Sequence, residues 1–372
     1  MHVGVSAWRL YGQRLGIGRY IEYLLKYWNG MLSPGDRVTV YVHEPLDTSA
    51  LGLSDAFTSR LVRPKLTNVL WENLLLPSIT DDIDVLFGPS YTLPLFYRRP
   101  SVVVSHSVDE AQPGAHAWWY RLTRSHKYRL SVRRADKVVA TSHSTAERLH
   151  TFYGIPWGKL EVIWHGADEA FKPIADEELL RQTRMRYFGD DRPYILFVGG
   201  LSTRRNVPML MEAFSELRRR DKIPHGLLLV GPNRGRIPLE ELTARLGLSG
   251  SVIQTDGVFR EHRELVSIYN AADLFVLPSA SEGFSLTLAE AFSCGTPVVT
   301  VNRASLGEVA NGYAMMIEEP DLVALTDAMR SVLTDPGIRR TLRLKGLERA
   351  RELRWDLTAR RTLDVLRRVA AR

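Results

Sequence analysis

Two doubly wound α/β domains, each a parallel sheet covered by helices on both faces, are the fold class this chain predicts, and three observations predict it. Short Val-rich apolar runs alternate with helical stretches along the whole length. The runs form two series with a break between them, one series per doubly wound domain. The chain's 372 residues also exceed what one hydrophobic core normally supports.

The first series of predicted strands is Val3–Ala7, Val38–Val42, Asp84–Gly88, Ser101–Ser105, Lys137–Thr141 and Glu161–Trp164. The second is Tyr194–Gly199, Leu227–Gly231, Ser251–Thr255, Leu274–Leu277 and Pro297–Val301. Between them Gly166-Ala-Asp, Lys172-Pro173 and a charged, helix-like 176–187 interrupt the strands, so the expected domains are 1–168 and 169–354. Ligands of open α/β sheets bind at the carboxyl ends of the strands. Two such domains facing one another would leave a cleft between them.

Composition fits a large soluble enzyme. The apolar content is 45% and no run reaches the 18 residues of a membrane span. The N-terminal MHVGVSAWRL reads as a first strand and has no long apolar region of a signal peptide. The single cysteine, Cys294, excludes an internal disulfide and a Cys-based zinc cluster. A cytoplasmic enzyme with a buried structural thiol is expected.

The net charge of +7 is concentrated. Residues 339–372 hold twelve Arg or Lys against four Asp or Glu, and residues 113–137 hold seven against one, with Trp118, Trp119, Tyr120 and Tyr128 interleaved. Such a segment can lie on an anionic membrane or bind nucleic acid. It can equally be an amphipathic helix with a solvated Arg face, and both readings stand at this point.

The stretch PSASEGFSLTLAEAFSCGTP, residues 278–297, carries the most chemistry. Asp273–Pro278 reads as a buried strand end, Ser285 opens a helix, and Gly295 and Pro297 stop it. Glu282 lies in the loop and Glu290 about a turn and a half inside the helix. Free N–H groups and the positive helix end favour a phosphate there. The carboxylates repel phosphate and suit neutral hydroxyls. Phosphate plus several hydroxyls describes a nucleotide sugar.

Glu282 and Glu290, with seven residues between them inside EGFSLTLAEAFSCGTPVV, resemble the E-x7-E motif of retaining GT-B glycosyltransferases of the GT4 type, the mannosyltransferase-like group 1 enzymes. The resemblance covers roughly residues 10–370, strongest over 195–310 and weakest over 44–66. It implies two Rossmann-like domains facing a central cleft, with the acceptor mainly on the N-terminal one and the nucleotide-sugar donor on the C-terminal one. It also implies a last helix, within 355–372, that packs back on the first domain. The donor set implied around the motif is Glu282, Gly283, Phe284, Ser285, Leu286 and Glu290, and no divalent metal or other cofactor is expected.

Three further segments match. The loop Gly12-Gln-Arg-Leu-Gly16-Ile-Gly18-Arg19-Tyr20 follows the first strand and precedes a helix, and its glycines let backbone approach an anion. Gly16 and Gly18 are expected to contact donor phosphate or an anionic acceptor. The strand ending at His106 resembles the family's strand-then-His-Asp element, whose histidine reaches toward the donor sugar's C6 hydroxyl. Here Ser107 stands where Asp is usual and Asp109 comes later, which leaves the orienting partner of His106 open. Leu70-Trp-Glu-Asn-Leu-Leu-Leu-Pro77 resembles another family element and receives no chemistry.

Tyr194–Asn206 opens a strand into a Gly turn with two adjacent guanidiniums, Arg204 and Arg205, followed by Asn206. Arg binds phosphate through parallel hydrogen bonds, and a departing nucleoside diphosphate needs a fixed cation. The family usually has Lys at Arg205, and many members have Arg at Gly200, so one cation is missing here. The base is expected against Gly231–Arg234 and Thr255–Phe259, with GDP, UDP and ADP all open. His106, Arg205 and Glu282 are the candidate catalytic residues. The predicted activity is retaining transfer of a mannose-like or glucose-like hexose, with GDP-mannose one candidate donor. The acceptor would be a saccharide or lipid-linked hydroxyl of a cell-surface polysaccharide or glycolipid. Nucleic acid is not an expected partner, and an anionic inner-membrane face through 113–137 is. A nucleotide-sugar 2-epimerase of GT-B fold is the alternative activity, and a non-catalytic basic membrane- or nucleic-acid-binding protein is a more distant one.

Overall fold

The structure, a computed structural model, describes residues 1–11, 16–64, 66–108, 118–257 and 262–372, without the side chains of Asn68, residues 118–125 and His262. Residues 12–15 of the Gly loop, Asp109, Pro113-Gly114 and Val258-Phe259 lie outside the described residues, as do the side chains of Trp118, Trp119 and Tyr120. The chain divides into two compact units: Met1–His165 with Trp355–Arg372, and Gly166–Arg354. The first crossing comes at His165, ahead of the 168/169 boundary read from the sequence.

Unit 1 is built on seven parallel strands: β1 (His2–Ser6), β2 (Arg37–Val42), β3 (Phe57–Leu61), β4 (Val85–Gly88), β5 (Ser101–Ser105), β6 (Lys137–Ala140) and β7 (Leu160–Val162). They run in the order β3-β2-β1-β4-β5-β6-β7. Val3 sits opposite both Val38 and Val85, so β1 is enclosed between neighbours and needs no polar face. Its helices are α1 (Ile17–Trp28), the short α2 (Asn68–Leu70) running into a π-helical turn at Trp71–Leu75, α3 (Trp118–Arg134) and α4 (His143–Tyr153). Tyr20, Ile21, Leu24, Leu25 and Trp28 give α1 one buried stripe at helical spacing. Ser142 caps α4 by accepting from the Thr145 N–H, and Gly154 in the left-handed region ends it.

Unit 2 has six parallel strands: β8 (Tyr194–Val198), β9 (Gly226–Val230), β10 (Val252–Thr255), β11 (Leu274–Leu277), β12 (Val298–Val301) and β13 (Met315–Ile317). Their order is β10-β9-β8-β11-β12-β13. Around them lie α5 (Glu177–Phe188), α6 (Val207–Arg220), α7 (Leu239–Arg245), α8 (His262–Ala271), α9 (Leu286–Cys294), α10 (Ala304–Ala310), α11 (Leu322–Thr334) and α12 (Pro336–Ala350). The chain then returns to unit 1 as α13 (Trp355–Ala370), which packs on α1. There the Trp28 indole N–H donates to the Ala359 carbonyl at 2.9 Å, and the Thr358 hydroxyl donates to the Trp164 carbonyl at 2.7 Å.

Strands β3 and β13 escaped the sequence reading. Between Phe57 and Leu61, β3 is an exposed edge strand of polar residues, and β13 is three residues long, so neither carries a readable apolar run. Both sheets reverse direction beside their first strand, between β1 and β4 in unit 1 and between β8 and β11 in unit 2. Those reversals are where open α/β sheets hold ligands.

Candidate functional site

In unit 2 the loops leaving β8 and β11 flank the reversal. The first requires bare backbone. Gly199 has φ +140°, and a Cβ there would lie 1.8 Å from Nη1 of Arg205. A Cβ on Gly231 would lie 2.2 Å from the Gly199 carbonyl oxygen, because the ends of β8 and β9 nearly touch. The chain then makes a tight turn through Thr203–Arg205 to Asn206, itself left-handed at φ +52°.

Side chains lace this loop to the one after β11. The Asn206 amide donates to the Pro278 carbonyl at 2.7 Å, the Ala280 N–H donates to the Arg204 carbonyl at 3.0 Å, and the Arg204 guanidinium donates to the Ser281 carbonyl. Arg204, Arg205 and Glu282 are thereby brought together. Oε1 of Glu282 is 3.0 Å from Nε of Arg205 and 3.7 Å from Nη1 of Arg204. Glu282 is 8% exposed, a burial that a carboxylate tolerates only when compensated by such cations. Its backbone carbonyl accepts from the buried Ser305 hydroxyl at 2.8 Å.

Gly283 and Phe284 continue the loop half-buried, and Ser285 caps α9 by accepting from the Leu288 N–H at 3.3 Å. Leu286 opens the helix. Glu290 points into the interior, 1% exposed, with Oε2 accepting from the Tyr269 hydroxyl at 2.8 Å. Burial pushes the Cys294 thiol far above its usual range, and the Glu290 carboxylate pushes it in the same direction. The thiol is therefore inert and structural. Gly200 stands beside Arg234, whose Cδ lies 3.6 Å from where a Cβ would be. The stem of a third arginine thus covers the position that lacks a side chain. Its number falls in the segment read as a base contact, and only the loop geometry shows its neighbourhood.

Unit 1 presents a different chemistry. His106 follows β5, half-buried among the rings of Tyr20 and Tyr91, whose centroids lie 4.9 and 5.3 Å away. Its Nε2 is 2.8 Å from the Pro89 carbonyl, just past β4, and its Nδ1 is 3.3 Å from Nε2 of His165. Burial drives its pKa down to about 4, the Arg9 charge pushes it the same way, and the Pro89 carbonyl opposes them. Of the two orienting partners left open, Asp109 lies outside the described residues and Ser107 does not reach the ring. The Ser107 hydroxyl pairs with Tyr91 at 3.2 Å, and the ring at Nδ1 is His165. No motif reading had singled out His165. Gly16 caps α1 at φ +52° and Gly18 is buried in its first turn, so Gly16 alone of the two presents open backbone.

Glu72, in the π-helical turn, is buried between the Thr92 hydroxyl at 2.6 Å and the Lys127 ammonium at 2.9 Å, a closed structural pairing. Among the described residues no group of three or more His, Cys, Asp or Glu is placed to hold a metal ion.

Two family models match the chain: Glycosyl transferases group 1 over residues 183–349, and Glycosyltransferase Family 4 over residues 15–171. A D-inositol 3-phosphate glycosyltransferase of Xylanimonas cellulosilytica is 30% identical over 246 residues, covering 63% of this chain and 57% of that protein. The matched part thus spans less than two thirds of that relative. Among solved structures, sucrose-phosphate synthase from Thermosynechococcus elongatus superposes with a TM-score of 0.79 at 20% identity, covering 100% of this chain and 99% of the other. Anabaena HepE in complex with UDP and glucose superposes with a TM-score of 0.77 at 16% identity over 98% and 99% of the two chains. With both halves matched and both sheets in the reversed order, the chain belongs to the group 1, family 4 glycosyltransferases and has their GT-B fold.

Proposed function

We propose that this chain transfers a hexose, with retention at the anomeric carbon, from a nucleoside-diphosphate sugar to a hydroxyl of a saccharide or lipid-linked acceptor. The observation that carries the reading is the Arg204–Arg205–Glu282 cluster beside the α9 N-terminus at the unit 2 reversal. Unit 2 is the donor side in this reading and unit 1 the acceptor side.

The ion pair between Arg205 and Glu282 suggests how one site serves two chemistries. When a diphosphate takes Arg205 as its cation, Glu282 is released toward neutral hydroxyls of the transferred sugar. Glu290 accepts from the ribose diol, and Tyr269 holds its other oxygen. In the transfer step the bond from the anomeric carbon to the leaving phosphate oxygen breaks while the bond to the acceptor oxygen forms on the same face. The acceptor proton passes to the departing phosphate, whose growing charge Arg205 and Arg204 neutralise. His106 keeps the role that the family resemblance gives it, toward the C6 hydroxyl of the donor sugar. No metal enters this scheme.

The test is incubation with UDP-, GDP- and ADP-sugars, with and without acceptor, following nucleoside diphosphate release and the product's anomeric configuration by NMR. Slow donor hydrolysis that accelerates with acceptor and yields retained product supports the reading. A new free sugar isomer would identify an epimerase, inverted product would overturn retention, and the absence of any turnover would leave only a binder.

The location proposed is the inner face of an anionic membrane, through 113–137. Helix α3 carries six Arg or Lys and no Asp or Glu. Beside it Phe96 is 78% exposed and Leu74 61% exposed, with the Arg134 guanidinium 5.8 Å above the Phe96 ring. An apolar patch rimmed by cations suits an anionic interface. Among the described residues no helix is long and apolar enough to cross a membrane. Flotation with phosphatidylglycerol vesicles checks the idea. Binding should vanish in high salt and in Phe96→Asp, and absence of binding at low salt removes the membrane from the account.

A further inference from the structure

We infer that His165 is a positioning residue for His106, fixing by one hydrogen bond which ring nitrogen of His106 carries the proton and where the ring points. The deduction starts at Pro89. A carbonyl oxygen only accepts, so Nε2 of His106, 2.8 Å away, carries the hydrogen. A neutral imidazole then has a bare lone pair at Nδ1, and the atom facing it is Nε2 of His165 at 3.3 Å, which must be the donor. The bonds run one way, from His165 to His106 to the end of β4.

Neutrality of both rings is what the direction requires, and their surroundings enforce it. Tyr20 packs on both at 4.9 and 4.7 Å, Trp355 stacks on His165 at 5.5 Å and 15°, and Tyr91 closes the other side of His106. Arg9 is the cation that acts on His106, and His106 in turn acts on His165. Burial is the first cause of the depressed pKa of each, so neither takes a proton near neutral pH. Among the described residues both ring nitrogens of His106 are engaged without a carboxylate. The position that a His-Asp element gives to an acid is served by a second, neutral histidine from the end of unit 1, where Ser107 has turned to Tyr91.

The placement also gives His165 a second attachment. It is the residue at which the chain leaves unit 1, and its stacking partner Trp355 is the residue at which the chain returns. His106 is therefore held from the crossing point and not from its own loop.

The effect on turnover rests on the transferase reading above, and the effect on the tautomer does not, so both are measured. Side-chain 15N NMR of the full chain near neutral pH should show His106 as the Nε2–H tautomer, with the alternative tautomer populated in His165→Phe. His165→Gln, which keeps an amide N–H donor, should restore the wild-type signal. With a nucleotide-sugar donor, His165→Phe should lower kcat about ten- to hundredfold with little change in KM, the range typical for loss of an orienting partner, and His165→Gln should recover part of it. An Nδ1–H tautomer in the wild type, an unchanged tautomer in His165→Phe, or a Phe variant with wild-type kcat overturns the proposal. If the wild type itself fails to turn over, the transferase reading falls, and the NMR result still decides the positioning claim.

Discussion

The two units share one plan, a parallel sheet that reverses beside its first strand, yet their reversals are furnished in opposite ways. In unit 2 the loops beyond β8 and β11 bring two guanidiniums onto one carboxylate and a helix N-terminus beside them. In unit 1 the corresponding edge holds mostly neutral aromatic groups, Tyr20, Tyr91, His106, His165 and Trp355, with Arg9 the one cation acting on His106 among the described residues. A scaffold of this kind fixes where a ligand sits, and the loops fix what it is. The charged edge suits a diphosphate whose charge grows during reaction. The neutral edge suits an uncharged sugar ring and hydroxyls, which gain from aromatic faces and suffer less from buried unpaired charge.

Arg205→Ala attacks the comparison at its charged end and should have the largest effect. Removing a cation that acts on developing charge should lower kcat by about a hundredfold or more while KM changes less, measured with saturating nucleotide sugar. Gly199→Ala tests the same cation from the backbone. The methyl group would strike Arg205 and force a left-handed alanine, so turnover and thermal stability should fall together, stability by about 1–3 kcal/mol. A variant with normal activity would show that Arg205 need not sit where it does.

The neutral end is tested by pH. The unfolded imidazole binds a proton below about pH 6.5, whereas folded His106 refuses one until about pH 4. Between those values the unfolded state holds more protons, so unfolding free energy rises with pH across the window and is fully present above it. The slope should be at most about 1.4 kcal/mol per pH unit from this ring, with His165 acting in the same direction. Urea titrations at pH 4.5, 5.5 and 7 should show it, and His106→Gln should flatten it.

A smaller effect is expected where charge is buried but shielded. Glu290→Gln keeps an acceptor for Tyr269 while removing the charge. It should weaken nucleoside diphosphate binding about tenfold, roughly 1.4 kcal/mol by calorimetry, with thermal stability nearly unchanged. Equal binding in both proteins would remove Glu290 from the ribose. The smallest shift belongs to Trp28→Phe, which deletes the hydrogen bond to Ala359. Loss of about 1 kcal/mol of unit 1 stability should leave nucleotide binding intact.

What the sequence made legible follows the same division. The inner strands of both sheets read well because each is an enclosed apolar run; β3 was missed because an edge strand can be largely polar, and β13 because three residues are too few to read. The unit 2 cluster was legible as charged residues close together in the chain, Arg204-Arg205 and Glu282 through Glu290. That Arg205 and Glu282 meet at 3.0 Å is a fact of two loops meeting, invisible to spacing. The unit 1 site was half legible. His106 stood out at a strand end, but its partner His165 lies 59 positions away and joins it only through the order of β5, β6 and β7.

The return of α13 to unit 1 has a consequence for synthesis. Unit 2 is one uninterrupted stretch, Gly166–Arg354. Unit 1 is completed only after unit 2, because the helix that packs on α1 and supplies Trp355 to the His165 ring follows Arg354 in the chain. Domains usually complete themselves in the order they are translated. Here completion runs against that order: until residues 355–370 are made, Trp28 lacks its bond to Ala359 and α1 lacks the helix that packs on it.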